Sequence, residues 1–333
     1  KPFQLAENKG IVFEGCKLHG MGFILTPDIA NDWIEQDRRN AEVLFPYLNG
    51  EDLNSRPDGS ASRWVIDFND RSETESAQFA IPFRRVYEDV RPERLKNNRK
   101  IYRDIWWQYA ERRPALRAAI AEMSEVLVIT RVSKTVMPVR VGTGQVFADS
   151  TDVFAVDDYG DQAVLSSSLH QLWAITYGSG MRNDPRYTPS DVFETFPRPN
   201  TRESLVELGR TLDSERREIM ARRDLGLTKL YNLVNSADVT SHSDPDVARM
   251  REIHVELDRA VLDAYGWQDI DPDHGLHTFR KMQRWTVGPS ARIELLDRLL
   301  EENHRRHSLQ AGGSVTSKGG VVDGTFEDGL LFR

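Results

Sequence analysis

An α+β fold is predicted, with a mixed α/β domain over residues 31–199 followed by an all-α helical domain over 200–307. Three observations predict it. In the first half, short β-branched runs such as EVLVITRV (Glu125–Val132) alternate with stretches of helical spacing. In the second half only long, charged amphipathic patterns occur, and no strand candidate separates them. Between the halves lies a punctuated segment, YGSGMRNDPRYTPSDVFETFPRP (Tyr177–Pro199), too rich in Gly and Pro for a helix and too rich in Arg and aromatic residues for a bland linker.

The elements follow in order. GIVFEGC (Gly10–Cys16) is a short strand, and Thr26 and Pro27 open a helix as cap and first helical residue. VLFPYLNGEDLNSRPDG (Val43–Gly59), with Asn49-Gly50 and Pro57-Asp58-Gly59, is expected to be loop and turn. RWVIDF (Arg63–Phe68) is a strand. The stretch from Glu73 to Leu95 starts helically and is interrupted by Pro82 and Pro92, and Pro114 opens a further amphipathic helix. MPVRVGTGQVF (Met137–Phe147) is a strand leading into a hairpin turn, and STDVFAV (Ser150–Val156) is another strand. Leu165, Leu169, Leu172 and Ile175 share one face of a single helix that Gly178 stops. After Pro199 come three helices: Thr201–Asp224, a second capped near Ser243 or Asp244 with Pro245 at its start, and Gly288–His307. Residues 308–333 are Gly/Ser-rich and read as a flexible tail.

Composition narrows the function classes. The chain has 333 residues, 39% hydrophobic and 29% charged, with no run near the roughly 18 apolar residues of a membrane helix. Cys16 is the only cysteine, which excludes an internal disulfide and a cysteine-built zinc site and fits a cytoplasmic setting. The net charge of −8 disfavours nucleic acid in bulk, but Arg84–Arg117 holds 11 Lys and Arg against 5 Asp and Glu, a local balance of +6. Either a phosphate-facing surface or an ordinary solvated helical face would carry that charge.

No catalytic set is visible and no metal site is assigned. Val141–Gln145 (VGTGQ) lacks the third glycine and following helix of a cofactor turn. His254 and Glu256 have deaminase spacing without the cysteines, and His254 with Asp258 reads as a surface helix pair. His304 and His307 end a helix where cations suit the dipole. Glu7–Lys9 has the end of a nuclease Glu-x-Lys motif without an upstream Pro-Asp.

LSSSLHQLWAITYGSGMRNDPRYTPSDVFETFPRP (Leu165–Pro199) resembles the target-recognition domains of MmeI-like adenine-specific DNA methyltransferases of restriction-modification and phage-defence systems. The matching residues are His170, Trp173, Gly180, Arg182, Asp184, Arg186, Tyr187, Phe196, Pro197 and Pro199. Val43–Phe68 and RVSKTVMPV (Arg131–Val139) are similar to the same domain, and LGLTKLYNLVN, IHVELDRAVLDAYGW and RWTVGPSARIELLDRLLEENHRR to that family's helical region. The likeness runs from Asn8 to His307. The family's Asn-Pro-Pro-Tyr motif and S-adenosylmethionine-binding glycines are absent from these residues. The resemblance therefore implies a catalytic domain upstream, with residues 1–30 leading out of it, and S-adenosylmethionine as a cofactor of the parent enzyme but not of this portion. A fused endonuclease is left open.

What the resemblance implies for this chain is sequence recognition on double-stranded DNA, with its own upstream methyltransferase domain as a partner and no membrane. The alternative is a structural module that docks partner subunits. Candidate DNA-contacting residues are Arg131, Ser133 and Lys134 in a loop, Arg140 on the following strand, and Arg182, Asn183, Arg186 and Tyr187 in the segment after Gly180. Arg and Lys can bridge guanine O6 and N7, and Asn can pair with adenine N6 and N7. For Arg182 and Arg186 the rival is a structural pairing with Asp184 or Asp191. Trp106, Trp107 and His170 are expected in the core.

Overall fold

The structure, a computed structural model, describes residues 1–181, 184–200, 202–240 and 242–316. β1 (Val12–Glu14) and β2 (Ile24–Leu25) precede α1 (Pro27–Gln36), which Thr26 caps by accepting from the Ile29 amide. β3 (Leu44–Leu48) and α2 (Gly50–Ser55) then occupy a stretch whose sequence predicts loop and turn. Pro46 argues against a strand, yet it is tolerated because one neighbour pairs only with Tyr47 and Leu48. Asn49 is a helix cap rather than a turn residue: its side chain accepts from the Asp52 amide at 3.0 Å.

β4 (Arg63–Ile66) is followed by a run of short helices, α3 (Glu73–Ser76), α4 (Ala80–Asp89), α5 (Arg91–Leu95), α6 (Lys100–Asp104) and α7 (Pro114–Ala119). Pro82 lies in the first turn of α4, where its missing N–H has no helical partner to lose, so it opens that helix rather than breaking it. The remaining strands of the first half are β5 (Glu125–Thr130), β6 (Val139–Gly142), β7 (Val146–Phe147) and β8 (Thr151–Phe154). Next come α8 (Tyr159–Ser166), α9 (Ser168–Tyr177) and the hairpin of β9 (Ser179–Met181) with β10 (Asp184–Arg186). The second half contains α10 (Glu203–Arg223), α11 (Leu227–Val234), α12 (Pro245–Tyr265), the hairpin of β11 (Gly275–Phe279) with β12 (Met282–Thr286), and α13 (Pro289–Thr316).

Two four-stranded sheets organise the first half. One has the order β1-β8-β5-β6, antiparallel throughout; the other has the order β2-β4-β3-β7, with β3 and β7 parallel. Phe23, Val65, Phe68, Val86, Trp106 and Trp107 fill the core against the second sheet, so both tryptophans are packing residues. The other core is continuous from the first sheet into the helical half, including Leu127, Phe154, Trp173, Leu205, Leu257 and Leu295.

Several expectations are corrected. The helix expected through Ser166–Ser168 is two helices, because Ser167 is extended and its hydroxyl caps α9 by accepting from the His170 amide. VGTGQ does not turn a hairpin: β6 and β7 belong to different sheets, and the segment carries the chain between them. The second half is not strand-free, since β11 and β12 pair over five residues each. His254 and Asp258 are buried rather than superficial. His254 Nε2 lies 2.9 Å from the Tyr231 hydroxyl, and Asp258 accepts from the Ser168 amide and meets His274 Nε2, both at 2.7 Å. The tail expected from 308 onward is helical to Thr316.

Part of the basic stretch from Arg84 to Arg117 is engaged within the protein. Arg85 pairs with Asp89, Arg113 with Glu14, and Arg117 with the buried Asp67, while Arg94 is buried with its guanidinium on the carbonyls of Leu18, His19 and Gln108.

Candidate nucleic-acid interface

Two segments far apart in sequence meet at the end of β5. Beyond Thr130 the chain leaves the sheet at Arg131, and there it pairs with the chain leaving β10. The Tyr187 amide donates to the Arg131 carbonyl at 2.7 Å, the Ser133 amide donates to the Pro185 carbonyl at 3.3 Å, and Val132 and Arg186 form an antiparallel bridge. The candidate residues of the 131–134 loop and of the segment after Gly180 are thus side by side. Arg182 and Asn183 lie outside the described residues.

The individual side chains divide into exposed and buried. Lys134 is exposed, and no ion pair of its ammonium occurs among the described residues. Arg186 is half-buried, and among the described residues no ion pair joins it to Asp184 or Asp191. The Ser133 hydroxyl accepts from the Thr135 amide at 3.0 Å, which shapes the loop. Arg131 is tied down: its guanidinium pairs with Glu14 and lies 3.2 Å from Asp152, a carboxylate with no exposure. Burial raises the Asp152 carboxyl to about 7, against the pull of Arg131.

Two candidates are corrected from surface to core. The Arg140 side chain is only 3% exposed. It donates to Gln162 Oε1 and the Asp157 carbonyl, with its guanidinium 4.0 Å from the centre of the Tyr159 ring. A guanidinium so enclosed holds β6 against α8 and does not face a duplex. Tyr187 is 3% exposed and its hydroxyl donates to His170 Nε2 at 3.0 Å. His170 Nδ1–H donates in turn to the Leu165 carbonyl at 2.7 Å, so the ring is the neutral Nδ1 tautomer, and burial lowers it to about 4. Tyr187 therefore anchors β10 to α8 and α9.

Beside the paired segments is a cleft of about 550 Å³ lined by Glu14, Lys17, Glu51, Asn54, Arg131 and Arg186 among others. α2 forms one wall. Its Gly50 lies so close to β5 that a Cβ would come 2.7 Å from Thr130 Cγ2, and its amide donates to Ser150 Oγ at 3.0 Å. The wall carries Asn54, whose amide nitrogen reaches Ser133 Oγ at 3.5 Å. The cleft thus presents cations, carboxylates and an amide together. Those are the groups that can complement the donors and acceptors of base edges.

A family model described as the MmeI target recognition domain matches residues 5–200, more than half of the chain. The chain belongs to the MmeI target-recognition-domain family. A solved structure of the type IIL restriction-modification enzyme MmeI in complex with DNA has the same fold, with a TM-score of 0.62 at 17% identity. The match covers 90% of this chain and 36% of MmeI, so the chain spans about a third of that enzyme's length. No curated protein matches.

For this MmeI-type domain, sequence reasoning located the paired segments and missed α2. Glu51 and Asn54 were hidden because Asn49-Gly50 has the signature of a turn; the signal available was Asn49 as a cap with acids at Glu51 and Asp52 in the first turn. The glycine-marked stretch Val141–Gln145 connects two strands and does not open a helix, so those residues do not fit S-adenosylmethionine. Among the described residues no helix is long and apolar enough to cross a membrane, and no group of three His, Cys, Asp or Glu is placed to hold a metal.

Proposed function

We propose that this chain is the DNA sequence-recognition part of a restriction-modification enzyme, reading double-stranded DNA with the surface where residues 131–134 meet residues 184–187. The observation that carries the reading is that pairing, in a chain of the MmeI target-recognition family. Lys134 contacts phosphate, and Arg186 with the cleft residues reads base edges. Arg182 and Asn183 belong to the same contact set on sequence grounds. Arg131 and Ser133 hold the reading surface in shape, and Arg140 and Tyr187 act from behind it.

The parent enzyme methylates an adenine amino group with S-adenosylmethionine held by an upstream domain, and works in the cytoplasm; the MmeI likeness supports this. Extruding a base for methylation costs a few kcal/mol, which duplex contacts made by this chain offset. The test is binding of the chain to duplex DNA over a salt series. The logarithm of the affinity should fall linearly against the logarithm of salt concentration, with a slope of roughly 0.9 per phosphate contacted. A flat response would remove DNA from the reading and leave the docking module in its place.

A further inference from the structure

The β11–β12 hairpin lies outside residues 5–200, yet it reaches both halves of the reading surface. On β12, Arg284 donates from Nη2 to the carbonyl of Lys134. At the hairpin tip, Arg280 donates from Nη1 to the carbonyl of Ile175, and from Nη2 to that of Thr176 at 3.2 Å. Ile175 and Thr176 form the last turn of α9, and the β9–β10 hairpin starts three residues later. One arginine therefore holds the 131–134 loop, and the other holds the root of the segment paired with it.

Both placements are energetically unfavourable on their own, which separates them from ordinary surface arginines. Arg284 is 6% exposed, and among the described residues it has no carboxylate partner and its buried Nε–H has no acceptor. Burying an unpaired cation is costly, and the Lys134 carbonyl is the oxygen acceptor it meets. Burial lowers the guanidinium to about 10, so it stays charged at neutral pH. Arg280 and Lys281 form the two-residue hairpin turn with φ of 46° and 65°, left-handed positions that Asn-Gly fills without strain. Side chains with a Cβ are strained there, and the bonds from Arg280 to α9 offset part of that strain. The base of the hairpin is firmly mounted: the Trp285 amide donates to Asn235 Oδ1 at 2.8 Å and its indole N–H to the Arg251 carbonyl at 3.2 Å.

We infer that the β11–β12 hairpin is a brace for sequence reading, with Arg284 and Arg280 as positioning residues that fix the two paired segments of the reading surface relative to each other. Neither contacts a base. The inference rests on the DNA-reading proposal and deepens it, because small displacements of a reading segment degrade base discrimination before they degrade phosphate attraction.

The experiment uses the full chain with Arg284→Met, Arg284→Lys and Arg280→Ala. Affinity is measured for the duplex the unsubstituted chain prefers and for a scrambled duplex, alongside amide hydrogen exchange. Arg284→Met should lower the preferred-to-scrambled ratio at least about fivefold, the worth of one base contact, with only a smaller loss of scrambled-duplex affinity through the Lys134 phosphate contact. Exchange at Ser133–Val136 should rise. Arg284→Lys, which keeps a charged donor, should recover part of the ratio. Arg280→Ala, at an exposed tip, should lower the ratio with faster exchange at Gly178–Gly180, and it decides the matter if Arg284→Met does not fold. An unchanged ratio in both variants overturns the brace, as does equal loss of preferred and scrambled binding. Absence of any preference in the unsubstituted chain instead overturns the DNA reading, while unchanged exchange at Ser133–Val136 in Arg284→Met overturns the brace alone.

Discussion

Lys134 and Arg186 carry charge at the meeting of two segments without a carboxylate partner among the described residues, whereas Arg131 and Arg140 are engaged within the protein. In the proposed reading that difference predicts two distinct phenotypes. Lys134→Ala should weaken binding to all duplexes alike and reduce the salt slope by about one. Arg186→Ala should relax discrimination at one base pair by about 1–3 kcal/mol. Competition binding with single-base-pair variants checks both, and a uniform loss for Arg186→Ala would move it to the phosphate class. The buried histidines make a separate prediction at this scale. His170 and His254 are held at about 4 by burial, against 6.5 when unfolded. Between those values the unfolded chain binds the extra protons, so their contribution to stability is complete above 6.5 and is lost as pH falls toward 4. Asp152, raised from 3.8 to about 7, runs the other way, losing stability as pH rises through that window. Two groups outweigh one, so the urea midpoint should be lower at pH 5 than at pH 7, and His170→Gln should flatten the difference.

At the level of elements, close approach decides what the interior tolerates. Gly209 of α10 packs on α8 so tightly that a Cβ would come 1.9 Å from the Tyr159 carbonyl oxygen. Gly209→Ala gains about 1 kcal/mol in helix propensity. The backbone must part to admit the methyl, and overpacking of this kind costs about 1–3 kcal/mol. The variant should therefore be destabilised, and an unchanged urea midpoint would show that α8 and α10 yield freely. The same scale shows what the sequence discloses. β5 was legible because Val126–Ile129 is an unbroken apolar run, and α12 because Asp244 and Pro245 mark its start. β3 was not, since Pro46 masks a strand whose tolerance depends on how far β7 extends. β11–β12 was not, since Arg280-Lys281 is no turn signature and its conformation is set by contacts with α9. Arg131, Lys134 and Arg186 could be nominated from local sequence, but their adjacency comes from main-chain pairing of segments about fifty residues apart. The burial of Arg140 and Tyr187 likewise depends on α8 and α9.

Across the whole molecule, one hydrophobic core crosses the change of grammar near Pro199. Val164 and Leu172 share it with Leu212, Leu257 and Leu299, so the helical half covers apolar surface of the first half. Residues 1–200 alone should then lose fixed packing around the first sheet, with weakened near-ultraviolet dichroism and dye binding typical of exposed apolar surface. A native-like spectrum for that fragment would show that the first half is self-sufficient. The net charge of −8 requires attraction to DNA to be local rather than global. Selection of duplexes from a random library by the full chain tests whether this local surface reads sequence. Enrichment of a single motif is expected, with that motif altered or lost in Arg186→Ala; recovery of DNA with no common sequence would rule a reading role out.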